Sequence, residues 1–421
     1  MDGFDYDGFF GDALGRLHRE GRYRVFRPLG RELAPGPVAF TTLDGVRRAV
    51  TVWCSNDYLG MSRHPLVLEA SRLALARYGA GAGGTRNISG THDPLVALEA
   101  ELAALHGKDA ALVFSSGYVA NDTVLATLAA SLPGCVVFSD ADNHASMIEG
   151  IRRSRAETVV FAHNDAADLE ARLAALDPAR PKLVAFESLY SMNGDIAPLR
   201  ELLSVARRHG ALTYVDETHA VGVHGPQGGG LLEAEGLLGQ ADVVQGGLGK
   251  GFGVVGGFVT GRRELVDFVR SHAPGFIFTT ALPPATAAAA LASVRHLRTS
   301  QAERQALWRR VTRLRTRLDA AGLPLRAAPV QILPLVIGDS RRCTAVADRL
   351  LREFSVYLQP INYPTVPRGA ERLRITPSPL HDDAMEDALV EALTATVPCA
   401  KPVAQAPLGQ PAPPARSARP A

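Results

Sequence analysis

Leu212-Thr213-Tyr214-Val215-Asp216-Glu217-Thr218-His219 reads as a buried strand that closes on an acid and opens into a polar turn. Val243-Val244 then leads into Gly246-Gly247-Leu248-Gly249-Lys250-Gly251-Phe252-Gly253, a glycine-rich turn that carries a lysine. Further apolar runs flank these two: Ala111-Leu112-Val113-Phe114, Val136-Val137-Phe138, Val159-Val160-Phe161, Leu183-Val184-Ala185-Phe186 and Gly257-Phe258-Val259. They lack polar alternation, as strands buried on both faces do. Helical patterns separate them at residues 94–106, 119–129, 166–176 and 199–209. The spacing predicts an α/β fold with a mostly parallel seven-stranded sheet, right-handed crossovers and helices on both faces.

Residues 1–55 read as an N-terminal helix and arm, with a short β segment at Ala49-Val50-Thr51-Val52-Trp53. Residues 56–290 form the large α/β domain. An alanine-rich helical stretch, 284–321, links it to a smaller C-terminal α+β domain over 291–397. Residues 398–421, rich in Pro and Ala, bury too little apolar surface to order themselves and are expected to be disordered.

With 421 residues, 46% of them apolar and 21% charged, the chain has the make-up of a soluble enzyme with a large core. A net charge of +2, without a basic block interleaved with aromatics, gives no expectation of nucleic acid. Neither a signal-peptide pattern nor a membrane-length apolar run is visible, so no membrane is expected and the cytoplasm is. Cys54, Cys135, Cys343 and Cys399 lie far apart, which suits reduced thiols and no metal site.

A strand-end acid and a lysine in the turn after a later strand suit a pyridoxal phosphate enzyme. That cofactor needs an amine to hold it and a carboxylate to keep its pyridine nitrogen protonated, since the positive charge makes the ring an electron sink. Ser115-Ser116-Gly117-Tyr118 follows one strand and opens a helix, whose free N–H groups make an anion site for the phosphate. A serine there is equally a plain helix cap. His144, after another strand and turn, is placed to stack on the cofactor ring, although a lone histidine is more often structural. His219, one helical turn beyond Asp216, faces the same ring if that turn is helical.

Longer strings carry a resemblance. They are Val52-Trp53-Cys54-Ser55-Asn56-Asp57-Tyr58-Leu59-Gly60, Gly83-Gly84-Thr85-Arg86-Asn87-Ile88-Ser89-Gly90-Thr91, residues 143–150, Ala273-Pro274-Gly275-Phe276-Ile277-Phe278, Gln359-Pro360-Ile361-Asn362-Tyr363-Pro364-Thr365-Val366-Pro367-Arg368-Gly369 and Glu371-Arg372-Leu373-Arg374-Ile375-Thr376-Pro377. From about Arg22 to about His381 the chain resembles the α-oxoamine synthase family of fold-type I pyridoxal phosphate transferases, and within it the aminolevulinate synthase branch. The resemblance implies a homodimer with active sites at the subunit interface. It implies that glycine and succinyl-CoA condense to 5-aminolevulinate, CoA and CO2, the entry to tetrapyrrole and haem synthesis.

Residue by residue, the resemblance makes Lys250 the cofactor lysine and base, Asp216 the partner of the pyridinium and His144 the stacking ring. His219 and Ser191 would bond the phenolic oxygen. Ser116, Gly117 and Tyr118 would hold the phosphate, reached also by Thr279 and Thr280 of the neighbouring subunit. Arg374 would bind the amino-acid carboxylate, with Asn56 nearby, in a bidentate task that suits a guanidinium. Arg24, Asn87 and Thr365 would hold the acyl carboxylate, Ile88 would also bind substrate, and Thr85 would close the space beside the glycine α-carbon. Without the resemblance, Arg24 reads as a surface arginine.

Four positions depart from the family pattern. Gly247 stands where a threonine normally helps bind the phosphate, Thr218 where valine is usual, Asn193 in place of aspartate and Phe252 in place of tyrosine. A lost charge-assisted hydrogen bond at 247 is worth roughly 1.5–3 kcal/mol. Three other readings stand beside the main one. They are an α-oxoamine synthase for another acyl-CoA, a secondary-metabolism relative that also cyclises aminolevulinyl-CoA to an aminohydroxycyclopentenone, and a non-catalytic binding protein on the same fold.

Overall fold

The computed structural model describes residues 4–32, 36–325 and 330–397. The disorder expected for 398–421 lies outside the described residues. Each of the seven apolar runs is a strand of one sheet. In spatial order they are Ala110–Phe114, Gly257–Gly261, Val243–Gly247, Leu212–Asp216, Lys182–Glu187, Val136–Asp140 and Glu157–Phe161. The last five pair in parallel, while Gly257–Gly261 runs antiparallel to both of its neighbours.

Alternate residues along these strands enter two separate cores, as the period of two requires. Val136, Phe138, Val184, Phe186, Val215 and Val244 join one core. Val137, Leu183, Ala185, Tyr214 and Val243 join the other. Helices Asp93–Leu105, Leu199–Arg208 and Pro284–Thr299 cover the first face, and Gly117–Ser131, Ala145–Ser154 and Arg263–His272 the second. The edge strand Glu157–Phe161 departs from the expectation of two buried faces, because most of it is exposed. It has one strand neighbour, and its apolar sequence hides that position.

The alanine-rich stretch is two helices, Pro284–Thr299 and Ala302–Ala320, broken where the Ser300 hydroxyl donates to Glu303 at 2.6 Å. A hairpin, Val38–Leu43 with Val46–Val52, takes Val356–Tyr357 from the C-terminal region as its third strand. Leu333–Val336, Arg372–Ile375 and Pro360–Ile361 form a second small antiparallel sheet. No described helix is long and apolar enough to cross a membrane.

This topology sets the site. In open α/β sheets, ligands bind beyond the carboxyl ends of the strands. The ends at Asp140, Glu187, Asp216 and Gly247 run into the turns that carry His144, Ser191, His219 and Lys250.

Candidate active site

Lys250 Nζ lies 2.7 Å from Nε2 of His219, whose Nδ1 lies 2.8 Å from the Tyr58 hydroxyl. That hydroxyl accepts from Arg374 Nη2 at 2.6 Å. A guanidinium only donates, so the Tyr58 hydroxyl is left to donate its O–H to Nδ1, and the neutral His219 ring carries its one proton on Nε2, toward the amine. Burial, with the charges of Lys250 and Arg374, pushes His219 well below the usual histidine range. Burial, aided by Arg374, brings Lys250 down to about 8 against the opposing charges of Asp216 and Glu187. A neutral lysine accepting from a neutral imidazole is thus within reach near physiological pH.

Asp216 is only 4% exposed. Its Oδ1 accepts the Thr218 N–H at 2.8 Å and its Oδ2 accepts from Asn121 Nδ2 at 2.7 Å. Asn121 is in turn held by the Tyr214 hydroxyl at 2.9 Å and reaches Ser146 Oγ at 3.0 Å. Ser146 Oγ lies 2.7 Å from Nδ1 of His144, so one network fixes both the carboxylate and the imidazole. The His144 N–H donates to Glu187 Oε1 at 2.7 Å. Burial and Asp216 hold the Glu187 carboxyl well above the usual range.

Arg374, 6% exposed, donates from Nε to the Ser191 carbonyl and from Nη1 to Asn56 Oδ1, both at 2.8 Å. Among the described residues neither Arg374 nor Asp216 has an ion-pair partner within salt-bridge reach, although both are buried. Buried charges are ordinarily paired. Here one anion and one cation face a common site, and each suits an opposite charge on a small molecule.

The phosphate end is less specific. Ser116 caps the helix Gly117–Ser131 by accepting the Val119 N–H at 3.1 Å, so its side chain is the plain cap that the sequence allowed. The first N–H groups of that helix have no partner inside it. Backbone crosses closely there: a Cβ at Gly257 would stand 2.4 Å from the Ser116 carbonyl oxygen. Tyr118 is half exposed and meets the His144 ring edge-on at 6.4 Å. Lysine, buried carboxylate, imidazole and helix start together fit pyridoxal phosphate in charge and in donor set.

The outer residues fall into two groups. Arg24 Nη2 donates to Thr365 Oγ1 at 2.9 Å across 341 residues of sequence. Thr85 Oγ1 donates to Asn87 Oδ1 at 2.7 Å, and Thr85 bridges Thr280 through the backbone. No hydrogen bond among the described residues joins the two groups. Thr279 donates its hydroxyl to the Gly275 carbonyl at 2.6 Å. Ile88 and Phe278, beside this bridge, are 77% and 78% exposed.

The sequence reading missed Tyr58, Asn121, Ser146 and Glu187. Tyr58 stood inside a quoted string, and Asn121 is a polar residue in a largely apolar helix; neither signal says what the side chain meets. Elsewhere, His64, His296 and Glu303 bring possible ligand atoms within 4.8 Å of one another. Hydrogen bonds already use them: His296 meets Glu303 at 2.7 Å, and His64 Nδ1 accepts the Leu66 N–H at 3.3 Å.

Comparison with known proteins follows the same lines. The family model described as aminotransferase class I and II matches residues 48–393. The chain is 58% identical over 390 residues to the 5-aminolevulinate synthase of Rhizobium meliloti (strain 1021), covering 92% of this chain and 96% of that protein. It is 55% identical over 389 residues to the 5-aminolevulinate synthase of Bradyrhizobium diazoefficiens, covering 92% and 95%. Among solved structures, a serine palmitoyltransferase from S. paucimobilis with a bound PLP–myriocin aldimine superposes with a TM-score of 0.85 at 34% identity, covering 93% of this chain and 97% of that one.

Proposed function

Because the chain belongs to the class I and II aminotransferase family and stands with its 5-aminolevulinate synthases, we propose that it condenses glycine with succinyl-CoA to give 5-aminolevulinate, CoA and CO2. The observation that carries the reading is the pair of buried charges without an ion-pair partner, Asp216 and Arg374, both of which act electrostatically on Lys250. The comparisons do not favour the cyclising alternative.

In this reading Asp216 holds the ring nitrogen of pyridoxal phosphate and His144 covers the ring. His219 and Ser191 hold the phenolic oxygen. The helix start at Ser116, Gly117 and Tyr118 holds the phosphate. When bound, the cofactor supplies an electron sink for charge on the amino-acid α-carbon. Arg374 and Asn56 bind the glycine carboxylate, which fixes the α-hydrogen toward the amine of Lys250. Lys250 takes that proton; an amine brought down to about 8 is an effective base near neutrality. Arg24 and Thr365 bind the far carboxylate of succinyl-CoA and set the thioester carbon for attack. After CoA and CO2 leave, Lys250 returns a proton to the product carbon.

The chain acts as a homodimer in the cytoplasm. Exposed Ile88 and Phe278 would then be covered by a second subunit, and the bridge between Thr85 and Thr280 presents Asn87, Thr279 and Thr280 to it. That arrangement brings the two outer groups to one pocket.

Two assays test the function. Purified protein should form 5-aminolevulinate from glycine and succinyl-CoA, and should exchange the glycine α-proton without any acyl-CoA. Asp216→Ala should slow that exchange by roughly 10- to 150-fold, the worth of a charge-assisted hydrogen bond. Unchanged exchange in the variant refutes the role of Asp216, and no product from the parent refutes the reaction.

A further inference from the structure

Gly247 closes the strand Val243–Gly247 opposite Gly257, and its φ is not among the positive ones. The backbone therefore does not demand glycine there. Space does: a Cβ at 247 would stand 2.7 Å from Cγ2 of Thr218 and 3.3 Å from its Oγ1. Real Cβ contacts do not come so close, so one of the two side chains has to yield.

Thr218 is not free to yield. Its hydroxyl donates to Oε1 of the fully buried Gln245 at 2.9 Å, and its N–H donates to Asp216 Oδ1 at 2.8 Å. Gln245 is itself tied, donating from Nε2 to the Gly246 carbonyl at 3.1 Å. Turning the Thr218 side chain away would leave a buried amide oxygen unpaired, which costs more than the hydrogen bond itself is worth. Thr218 also borders the start of the helix Gly117–Ser131: its Oγ1 lies 3.7 Å from the place a Cβ at Gly117 would take. The contact thus sits where the cofactor phosphate is assigned.

We propose that Thr218 and Gly247 form an either-or pair at the phosphate end of the cofactor pocket. Thr218, latched by Gln245, takes the space a side chain at 247 would need, so a hydroxyl at 247 is admissible only if Thr218 is replaced by a residue without that latch. Thr218 is a positioning residue: its hydroxyl proton is committed to Gln245, and the phosphate relies on the helix N–H groups and on donors from other segments. This rests on the cofactor reading above.

The test is a double-mutant cycle read by pyridoxal phosphate affinity, from absorbance and fluorescence titration of the full-length protein, with thermal midpoints alongside. Gly247→Thr alone should weaken binding by roughly tenfold or more, the usual cost of overpacking. Thr218→Val alone should change it by no more than about fivefold. The double variant should recover all of the loss and bind about fivefold tighter than the parent, because 247 then offers a hydroxyl donor. If Gly247→Thr does not fold, Gly247→Ala replaces it, and the fall in midpoint it causes should be smaller in the Thr218→Val background than in the parent. A Gly247→Thr variant that binds as well as the parent, or a double variant whose loss equals the product of the single losses, overturns the pair. A parent that binds no pyridoxal phosphate overturns the cofactor reading instead, while the midpoints still decide whether 218 and 247 are coupled.

Discussion

Lys250 Nζ lies 2.7 Å from Nε2 of His219, an imidazole that burial and the neighbouring charges keep neutral. The amine is a base only when deprotonated, and burial brings it down to about 8. Exchange of the glycine α-proton should therefore rise with pH through about 8 and level off above it. Lys250→Ala should retain the cofactor non-covalently and lose exchange by at least roughly 10²-fold. A parent profile that is flat from about pH 7 to 9, or normal exchange in the variant, would show that another group is the base.

The bond from Arg24 to Thr365 sets up the test of acyl selectivity. Arg24→Leu leaves the distal carboxylate of succinyl-CoA facing an apolar group, without the cation that would pair with it. Turnover with succinyl-CoA should drop steeply, while turnover with uncharged butyryl-CoA should hold or rise. Parallel losses with both thioesters would remove Arg24 from the pocket.

Thr85 donates its hydroxyl to Asn87 at 2.7 Å, a bond that serine preserves. Thr85→Ser therefore removes one methyl group and nothing else. The methyl of the partly buried Thr85 is worth at most ~1 kcal/mol, so the ratio of kcat/KM for larger acyl-CoAs to that for succinyl-CoA should shift by roughly fivefold, short of a switch. Constant ratios across an acyl-CoA series would place Thr85 outside the pocket.

His163 is pinned between Asp140 at 2.8 Å and Asp195 at 3.5 Å, with Asp142 at 3.9 Å. Burial opposes its charge, but these carboxylates prevail and raise it from 6.5 to about 10. The folded value lies above the unfolded one, so the stability it contributes is complete below about pH 6.5. It declines as the pH rises and is gone beyond about 10. His163→Gln should lower Tm by on the order of 5 °C near pH 6. The gap to the parent should close toward pH 10, and an equal drop at both pH values would mean that His163 acts by packing alone.

The seven strands were legible because a strand buried on both faces must be apolar throughout, and a run such as Lys182–Glu187 says so locally. The turns after those strands were legible for the same reason, since a parallel sheet delivers their side chains to one edge. The exposed Glu157–Phe161 was not, because an edge position depends on strand order, which no short run encodes.

By itself the sequence determined the fold class, the sheet and the residues that follow each strand end, because local apolar pattern and chain order suffice for those. The tertiary structure alone decided that Tyr58 links Arg374 to His219, that Asn121 holds Asp216, and that Thr218 fills the space beside Gly247. Tyr58 and Arg374 stand 316 residues apart, and Asn121 and Asp216 stand 95 apart. A hydrogen bond or a steric clash acts over a few ångströms, and only the folded chain brings groups that distant in sequence within its range.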